Sequence, residues 1–323
     1  MTEEPECYMP EIENKTAYEK YSCQLSGVLK PIMSKSASFP LYHYTSGNAL
    51  RSILENSQLW LSKWNCMNDP SEFLLVHDII KEELKAYREK DRAFYDLISD
   101  YNQIEKAIKC SEEMYSSNDD IFILSFTRKC DSLNMWTCYS KAGHPDGYSI
   151  TFNNAPNLSV SDSDETRTKI DLKTALSFTP VTYDKQEQTS LVKSFIKLLN
   201  NAFNDAEVSK EGEEDRRLIL DNLFWSFTHQ VGCRFKHEKY AQEEEVRAIL
   251  CLSDAEKQLI KHRALNGIIV PYVPLKFDLQ SIAEICIGPT LRNKGAFSGI
   301  QSLKRTLGLS YEIFRSEIPF RLM

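Results

Sequence analysis

The chain has 323 residues, of which 42% are hydrophobic and 26% are charged, and its net charge at pH 7 is -7. This composition is typical of a globular protein that buries a sizeable core in one large or two small domains. The negative net charge argues against a broad surface for nucleic acid or anionic membrane. No apolar run approaches the roughly 20 residues needed to span a bilayer.

The nine cysteines are scattered, and no Cys-x-x-Cys pair occurs. This spacing favours reduced thiols over a zinc or redox motif. The acidic N-terminus, Met-Thr-Glu-Glu-Pro-Glu, lacks the basic and apolar parts of a signal peptide. We therefore expect a cytoplasmic protein, with a polar N-terminal arm over residues 1–38 and a single catalytic-like domain over residues 39–323.

Taken in chain order, residue periodicity predicts an alternation of strands and helical blocks. The predicted strands are 39–45, 59–62, 121–126, 147–152, 181–183, 246–252, 267–270, 282–287 and 311–314, with a loop at 156–169. The predicted helices are 48–56, 71–115 with a break near 90–91, 133–141, 188–206, 211–231 and 296–307. Since no strict βαβ rhythm is present, we predict an α+β fold. Its sheet is mixed or antiparallel, with helical insertions near 71–115 and 188–231.

Three consecutive carboxylates, Glu243, Glu244 and Glu245, precede a predicted strand. Acids at the start of a buried strand are costly unless they are solvated, paired or used. In an extended chain Glu243 and Glu245 share a face, and Glu244 points away. The flanking Lys236 and Arg247 are either structural ion-pair partners of these acids or charged contacts for a ligand.

Other residues suited to chemistry lie at the ends of predicted elements. A histidine offers a donor and an acceptor near neutral pH, and hydroxyls at the end of a buried strand can hold a sugar or a carboxylate. Two aromatic residues three apart on a helix share a face. Taken singly, each fits core packing or strand-end capping as well as a site. The candidates are His43, Tyr44, Thr45, Ser125, Thr127, Trp136 and Tyr139.

The segment Asn68-Asp69-Pro70, followed by Glu72, has two interpretations. Its carboxylates are ligands that hard cations prefer, and they could bind a metal together with Glu243 or Glu245. The same residues also make a helix N-cap with an acid in the first turn. Gly-x-Ser-x-Gly, P-loop and Gly-x-Gly-x-x-Gly motifs are absent from the sequence, which argues against the enzyme classes that use them.

Ordered motifs across residues 41–321 resemble those of an uncharacterised bacterial domain family found in mobile and defence-like gene settings. The motifs are Leu41-Tyr42-His43-Tyr44-Thr45-Ser46, Leu59-Trp60-Leu61-Ser62, Asn68-Asp69-Pro70-x-Glu72, Leu124-Ser125-Phe126-Thr127, Met135-Trp136-x-x-Tyr139, Gly147-x-x-Ile150-x-Phe152, Phe235-Lys236-His237-x-x-Tyr240-x-x-Glu243-x-Glu245-Val246-Arg247, Ile287-Gly288-Pro289 and Ser316-x-Ile318-Pro319-Phe320-Arg321. The resemblance implies a role in bacterial antiviral defence and no particular reaction.

The order of a histidine strand, a Ser-x-Thr strand and a Glu-x-Glu strand is similar to that of ADP-ribosyltransferases. The resemblance implies a split sheet that binds NAD in its cleft. It implies that Glu245 holds the nicotinamide ribose 2′-hydroxyl, that Glu243 activates the acceptor and that His43 contacts the ribose or phosphate of NAD. It also implies support from two strand-end hydroxyls and stacking of an aromatic ring on nicotinamide. These residues would be Ser125 and Thr127, and one of Trp136, Tyr139 and Tyr44.

We therefore expect an enzyme that cleaves the nicotinamide–ribose bond of NAD and transfers ADP-ribose, with NAD as substrate and no metal. One alternative is a metal-dependent hydrolase or nuclease that uses Asp69, Glu72, Glu243 and Glu245. The other is a non-enzymatic nucleotide-sensing or interaction module of a defence system. The expected partners are a nucleotide-type small molecule and an acceptor protein or nucleic acid. We expect no membrane partner, and the sequence leaves open whether the chain forms a homo-oligomer.

Overall fold

The computed structural model describes residues 15–67, 73–103, 120–139, 147–160, 176–210, 212–252, 254–265, 267–291 and 293–320. The chain divides into two compact units. The helical unit comprises residues 1–35, 68–118 and 182–238, and the strand unit comprises residues 36–67, 119–181 and 239–323. Within the described ranges, no helix has both the length and the apolar character needed to cross a membrane.

The elements are numbered in chain order. The helices are Lys15–Met33 (α1), Gly47–Asn56 (α2), Leu75–Leu84 (α3), Arg92–Tyr101 (α4), Leu133–Tyr139 (α5), Lys185–Phe203 (α6), Glu213–Gly232 (α7) and Lys294–Thr306 (α8). The strands are Leu41–Thr45 (β1), Gln58–Lys63 (β2), Asp120–Thr127 (β3), Tyr148–Phe152 (β4), Ser159–Val160 (β5), Leu176–Pro180 (β6), Glu245–Leu252 (β7), Lys261–Leu265 (β8), Ile268–Lys276 (β9), Ile282–Ile287 (β10) and Glu312–Arg315 (β11).

Helix α1 belongs to the core of the helical unit. Its residues Tyr21, Leu25 and Ile32 are buried, and spacings of four and seven place them on one helix face. The prediction of a polar arm over residues 1–38 is therefore wrong for residues 15–33, which form this helix. This periodicity was not recognised in the sequence, because polar residues lie between the apolar positions and Pro31 lies near the helix end.

The predicted insertions near 71–115 and 188–231 supply the other helices of this unit. The helices α3, α4, α6 and α7 bury their apolar side chains together with α1 in one core. Phe195 of α6 and Phe227 of α7 stack at its centre, with ring centroids 3.8 Å apart and an interplanar angle of 6°. These segments thus form a compact unit of their own instead of insertions in a single domain over 39–323.

The strand unit is built on one sheet that contains all eleven strands of the described residues. The path through the sheet is β11-β10-β4-β1-β3-β2-β9-β5, and β7, β6 and β8 join it on β3, β7 and β9. The pair β10–β11 is parallel, and the other pairs described are antiparallel. The predicted α+β class with a mixed sheet is confirmed.

Strand β3 has three partner strands, although a strand has only two edges. Strand β7 pairs with β3 along its full length, from Asp120 to Thr127. Strands β1 and β2 therefore share the opposite edge, where β1 pairs at Thr127 and β2 pairs at Phe122 and Ile123. The sheet forks at this edge, and Ser125 lies between the two points of pairing. We call this region the β3 fork.

The two faces of β3 and β7 differ in polarity. Phe122, Phe126, Val246 and Ala248 point into a large apolar core, together with Leu41 of β1 and other buried residues. Because side chains alternate along a strand, the odd-numbered residues lie on the other face. That face carries the hydroxyl, carboxylate and guanidinium groups considered below.

The strands missed by the sequence interpretation contain polar residues or prolines. Strand β5 lies in the predicted loop 156–169, and the predicted strand 181–183 is only an isolated bridge at Thr182, because β6 ends at Pro180. Strand β8 begins with three polar residues, and β9 continues through Pro271 and Pro274 to Lys276. Proline removes a backbone donor and normally marks the end of a strand, which explains the short prediction of 267–270.

Candidate functional site

The carboxylate of Glu245 lies at the β3 fork in a fixed environment. Ser125 Oγ donates a hydrogen bond of 2.6 Å to Glu245 Oε1. Arg247 donates from Nε to Oε1 at 2.8 Å and from Nη2 to Oε2 at 2.9 Å. Glu245 is 6% exposed and Arg247 is 2% exposed. This bidentate arrangement fixes both the position and the orientation of the carboxylate.

The register of β3 and β7 explains why these three side chains meet. Thr127 is paired with Glu245, and Ser125 is paired with Arg247. Glu245 and Arg247 are two residues apart on one strand, so their side chains share a face. Desolvation of two charges is costly, and the mutual pairing offsets that cost. Of the two interpretations of Arg247, the structure shows the ion pair directly.

Glu243 is held differently from Glu245. It ends the 3-10 helix Glu238–Glu243, and Tyr139 Oη donates to its Oε1 at 2.7 Å. The Thr127 hydroxyl donates to the Glu243 carbonyl. The extended geometry predicted for residues 243–245 is wrong, because a 3-10 helix precedes the strand and Glu244 has a positive φ of 41°.

Glu244 has partners that are distinct from those of the neighbouring acids. Its carboxylate lies 2.6 Å from Lys129 Nζ and 3.6 Å from Arg128 Nε, and it is partly exposed. The left-handed backbone at this position is unusual for a residue with a Cβ atom. Glu244 is thus an exposed ion-pair residue beside two buried acids, which makes it a matched control for either.

His43 reaches the β3 fork through the main chain of Ser125. Its Nδ1 lies 3.0 Å from the Ser125 carbonyl oxygen; since a carbonyl only accepts, Nδ1 is the donor. Tyr42 is paired with Thr127, so His43 lies on the opposite face from Thr127 and Glu245. Its ring packs near Phe126, with centroids 5.7 Å apart. The imidazole therefore supports the strand that carries Ser125 from the core side.

Burial lowers the pKa of His43 below its ordinary value of 6.5, and the bond to Ser125 opposes that shift more weakly. The unfolded chain then binds a proton more readily than the folded chain once the pH falls below about 6.5. We expect this contribution to stability to be complete above about pH 6.5 and to decrease as the pH falls below it. Thermal unfolding across this range should show a smaller pH dependence for His43→Gln. A pH dependence that is unchanged in His43→Gln would contradict the assignment.

The aromatic candidates have structural roles that differ from one another. Trp136 is fully buried, its Nε1 donates to Asp131 Oδ1 at 2.8 Å, and its ring meets that of Tyr44 edge-on at 4.6 Å. Tyr44 is also buried, and its hydroxyl donates to the Lys129 carbonyl at 3.0 Å. Neither ring has a surface for stacking on nicotinamide in this conformation. Tyr139, which is partly exposed, is the aromatic residue that contacts a candidate acid.

The remaining predicted residues have other positions in the fold or lie outside the described ranges. Thr45 is buried at the end of β1, paired with Tyr148 of β4. Lys236 belongs to the helical unit, where its carbonyl accepts from Gln188 Nε2 at 3.0 Å. Asp69 and Glu72 lie outside the residues that the structure describes. Within those residues, no group of three His, Cys, Asp or Glu side chains is placed to hold a metal ion.

Sequence reasoning missed Asp131, which holds the Trp136 ring in place against Tyr44. Its backbone has a positive φ of 42°, Oδ1 accepts from Trp136, and Oδ2 accepts from the Glu317 N–H at 3.0 Å. Asp131 precedes Ser132 and a helix, so its local pattern reads as ordinary helix capping. Contacts with a residue 186 positions away leave no local signal.

Two cavities are described, and both belong to the helical unit. The larger, of about 660 Å³, lies between α1 and α7, and the smaller, of about 550 Å³, lies between α1 and α6. Neither is lined by a residue of the Glu245 network.

The structure defines an α+β protein whose forked sheet carries a buried carboxylate–guanidinium pair. Residues 135–248 match the model of a protein family, DUF2971, whose description is "protein of unknown function". The expected resemblance to an uncharacterised domain family is confirmed over this segment, which includes Tyr139, Glu243, Glu245 and Arg247. No match was found among curated proteins or among solved structures.

Proposed function

We propose that the strand unit is an ADP-ribosyltransferase-like enzyme that cleaves the nicotinamide–ribose bond of NAD. ADP-ribose then passes to an acceptor in the cytoplasm, and a role in bacterial antiviral defence is part of this proposal. The observation that supports it best is the Ser125–Glu245–Arg247 network at the β3 fork. A forked sheet with a hydroxyl and a glutamate on one face of the fork supports this proposal, whereas His43 lies on the core face and supports the strand that carries Ser125.

In this reaction the bond between ribose C1′ and the nicotinamide nitrogen breaks. Its electron pair stays with the nitrogen and neutralises the pyridinium, so positive charge develops on the ribose ring. A carboxylate that is fixed before the reaction stabilises this charge without reorganisation. Ser125 and Arg247 fix Glu245 in this way. Glu245 is nearly buried, so side chains at the fork move to admit NAD.

The acceptor nucleophile then bonds to C1′ and loses a proton. Glu243 is the proposed base that takes this proton, and the hydrogen bond from Tyr139 Oη orients it. Thr127 ties the Glu243 carbonyl to β3, and Thr127 is itself paired with Glu245. One hydroxyl residue thus holds the two acids in a fixed relation.

The experiment that tests this function is an assay of nicotinamide release from NAD by the full chain, with water, proteins and nucleic acids as acceptors. Transfer is followed with NAD labelled in its adenine. We expect Glu245→Gln to reduce turnover by at least about 100-fold, the effect of losing one preorganised electrostatic group. Glu244→Gln removes the same charge one residue away and should stay within about twofold of the parent.

Circular dichroism and thermal unfolding of each variant separate loss of chemistry from loss of fold. A folded Glu245→Gln variant with unchanged turnover would contradict the role of Glu245. Absence of NAD binding and turnover in the parent chain with every acceptor would contradict the function itself.

A further inference from the structure

A second group of polar and aromatic side chains lies on β2, β8 and β9 of the strand unit. The rings of Trp60 and Tyr272 have centroids 4.4 Å apart and an interplanar angle of 32°. The Arg263 guanidinium lies 5.3 Å from the Trp60 centroid and 5.6 Å from the Tyr272 centroid. Arg263 Nη2 donates to Ser62 Oγ at 2.8 Å. We call these four residues the aromatic–arginine cluster.

Arg263 is a half-buried cation whose hydrogen bonding is incomplete. Its Nε atom is buried and has no hydrogen-bond partner among the residues that the structure describes. No carboxylate of those residues forms an ion pair with it. A partly desolvated charge without a counter-ion is costly, and a bound anion would offset that cost. Lys261, exposed and two residues earlier on β8, adds a second positive charge to the same face.

The cluster and the Glu245 network share one face of the sheet. Ser62 of β2 is paired with Ile123 of β3. Ser125 follows Ile123 by two residues, so it lies on the same face, about 7 Å further along the strand. Ser125 in turn binds Glu245. A ligand that extends from the network along this face in the direction of β2 meets the aromatic–arginine cluster.

We propose that the aromatic–arginine cluster binds the adenosine diphosphate half of the dinucleotide whose nicotinamide riboside half lies at the Glu245 network. This inference rests on the proposed function. Trp60, which is partly exposed and packs on the buried Tyr272, supplies the aromatic surface for the adenine, since base–aromatic stacking is favourable for any base. Arg263 and Lys261 hold the phosphate oxygens, because a guanidinium matches phosphate geometry in a bidentate way.

The test uses ADP as the probe, because ADP contains this half of the ligand alone. Isothermal titration calorimetry of the full chain measures its affinity. We expect Arg263→Gln to weaken ADP binding about 10- to 100-fold, the value for loss of a charge-assisted contact. The matched control is Arg305→Gln, an exposed arginine on α8 of the same unit, which should change binding less than about twofold.

A second pair of variants tests the aromatic surface independently of charge. Trp60→Phe keeps a ring and should retain most of the ADP affinity, whereas Trp60→Leu should lose it. Circular dichroism of each variant verifies the fold. In the NAD assay, Arg263→Gln should raise KM with little change in kcat, since the contact is remote from the reacting atoms.

The outcomes separate this inference from the proposed function. ADP binding that depends on Arg263, without NAD turnover in the parent chain, supports the cluster as a nucleotide site and overturns the transferase. NAD turnover that is unaffected by Arg263→Gln supports the transferase and overturns the cluster as a nucleotide site. Equal ADP affinity of the parent chain and Arg263→Gln, or no ADP binding at all, also overturns it.

Discussion

Arg247→Met should lower the free energy of unfolding of the strand unit by about 3–5 kcal/mol, the usual cost of breaking a buried ion pair by removing one partner. The reason lies in the carboxylate that remains. Glu245 is 6% exposed and takes two hydrogen bonds from Arg247, so the substitution removes both of these bonds and the opposite charge from a desolvated carboxylate. Urea denaturation, read at a constant m-value, measures the effect.

The charge-neutral double variant Glu245→Gln/Arg247→Met separates the cost of an unpaired charge from the loss of shape. A buried pair replaced as a whole costs far less than a pair broken on one side. We therefore expect the double variant to recover most of the stability that Arg247→Met loses. It should still release no nicotinamide from NAD, since it lacks the carboxylate. A cost below about 1 kcal/mol for Arg247→Met would show that water reaches the pair.

Phe227→Ala should destabilise the helical unit by about 3–5 kcal/mol, the range for removal of a buried phenyl ring. Phe227 is fully buried and stacks on Phe195, so the cavity would open inside a core shared by several helices. An aromatic pair contributes beyond its buried area, which places the effect toward the upper end of the range.

Phe227→Leu is the matched control, because it keeps most of the volume and should cost less than about 1.5 kcal/mol. Fluorescence of Trp225, which belongs to the same unit, follows the unfolding of this core alongside circular dichroism. Similar losses for the alanine and leucine variants would mean that the surrounding helices collapse into the cavity.

The sequence was informative where a pattern is local. The apolar run of β3 predicted a central strand, and the residues 120–127 do pair on both edges. The break near residues 90–91 is where α4 begins, with Asp91 as its N-cap accepting from the Phe94 N–H. Periodicity and capping act over a few residues, so they can be read without knowledge of the fold.

The sequence was misleading where a local pattern had two uses. Glu243-x-Glu245 looked like two steps of a strand, but a 3-10 helix and the left-handed Glu244 separate the two acids. Trp136 and Tyr139 share a helix, yet one is a buried core residue and the other contacts an acid. Strand register decides which side chains meet. It depends on two strands that are far apart in the sequence, so it cannot be read from either strand alone.

The aromatic–arginine cluster could not be found from the sequence for the same reason. Trp60 lies on a strand that was predicted, but Arg263 lies on β8, which was not, and Tyr272 lies on the part of β9 beyond Pro271. Their proximity depends on β9 pairing with β2 on one side and with β8 on the other. A missed strand therefore removes a whole cluster from consideration.

The β3 fork also affects when the candidate site forms during folding. Ser125 and Glu245 are 120 residues apart in sequence, so the contact between them closes a long loop. Contacts of this separation form slowly, because the entropy of loop closure is lost before the contact is gained. A nascent chain that has just completed β3 presents one whole edge of that strand without β7. We expect the carboxylate–guanidinium pair to appear late, and its formation to mark the completion of the sheet.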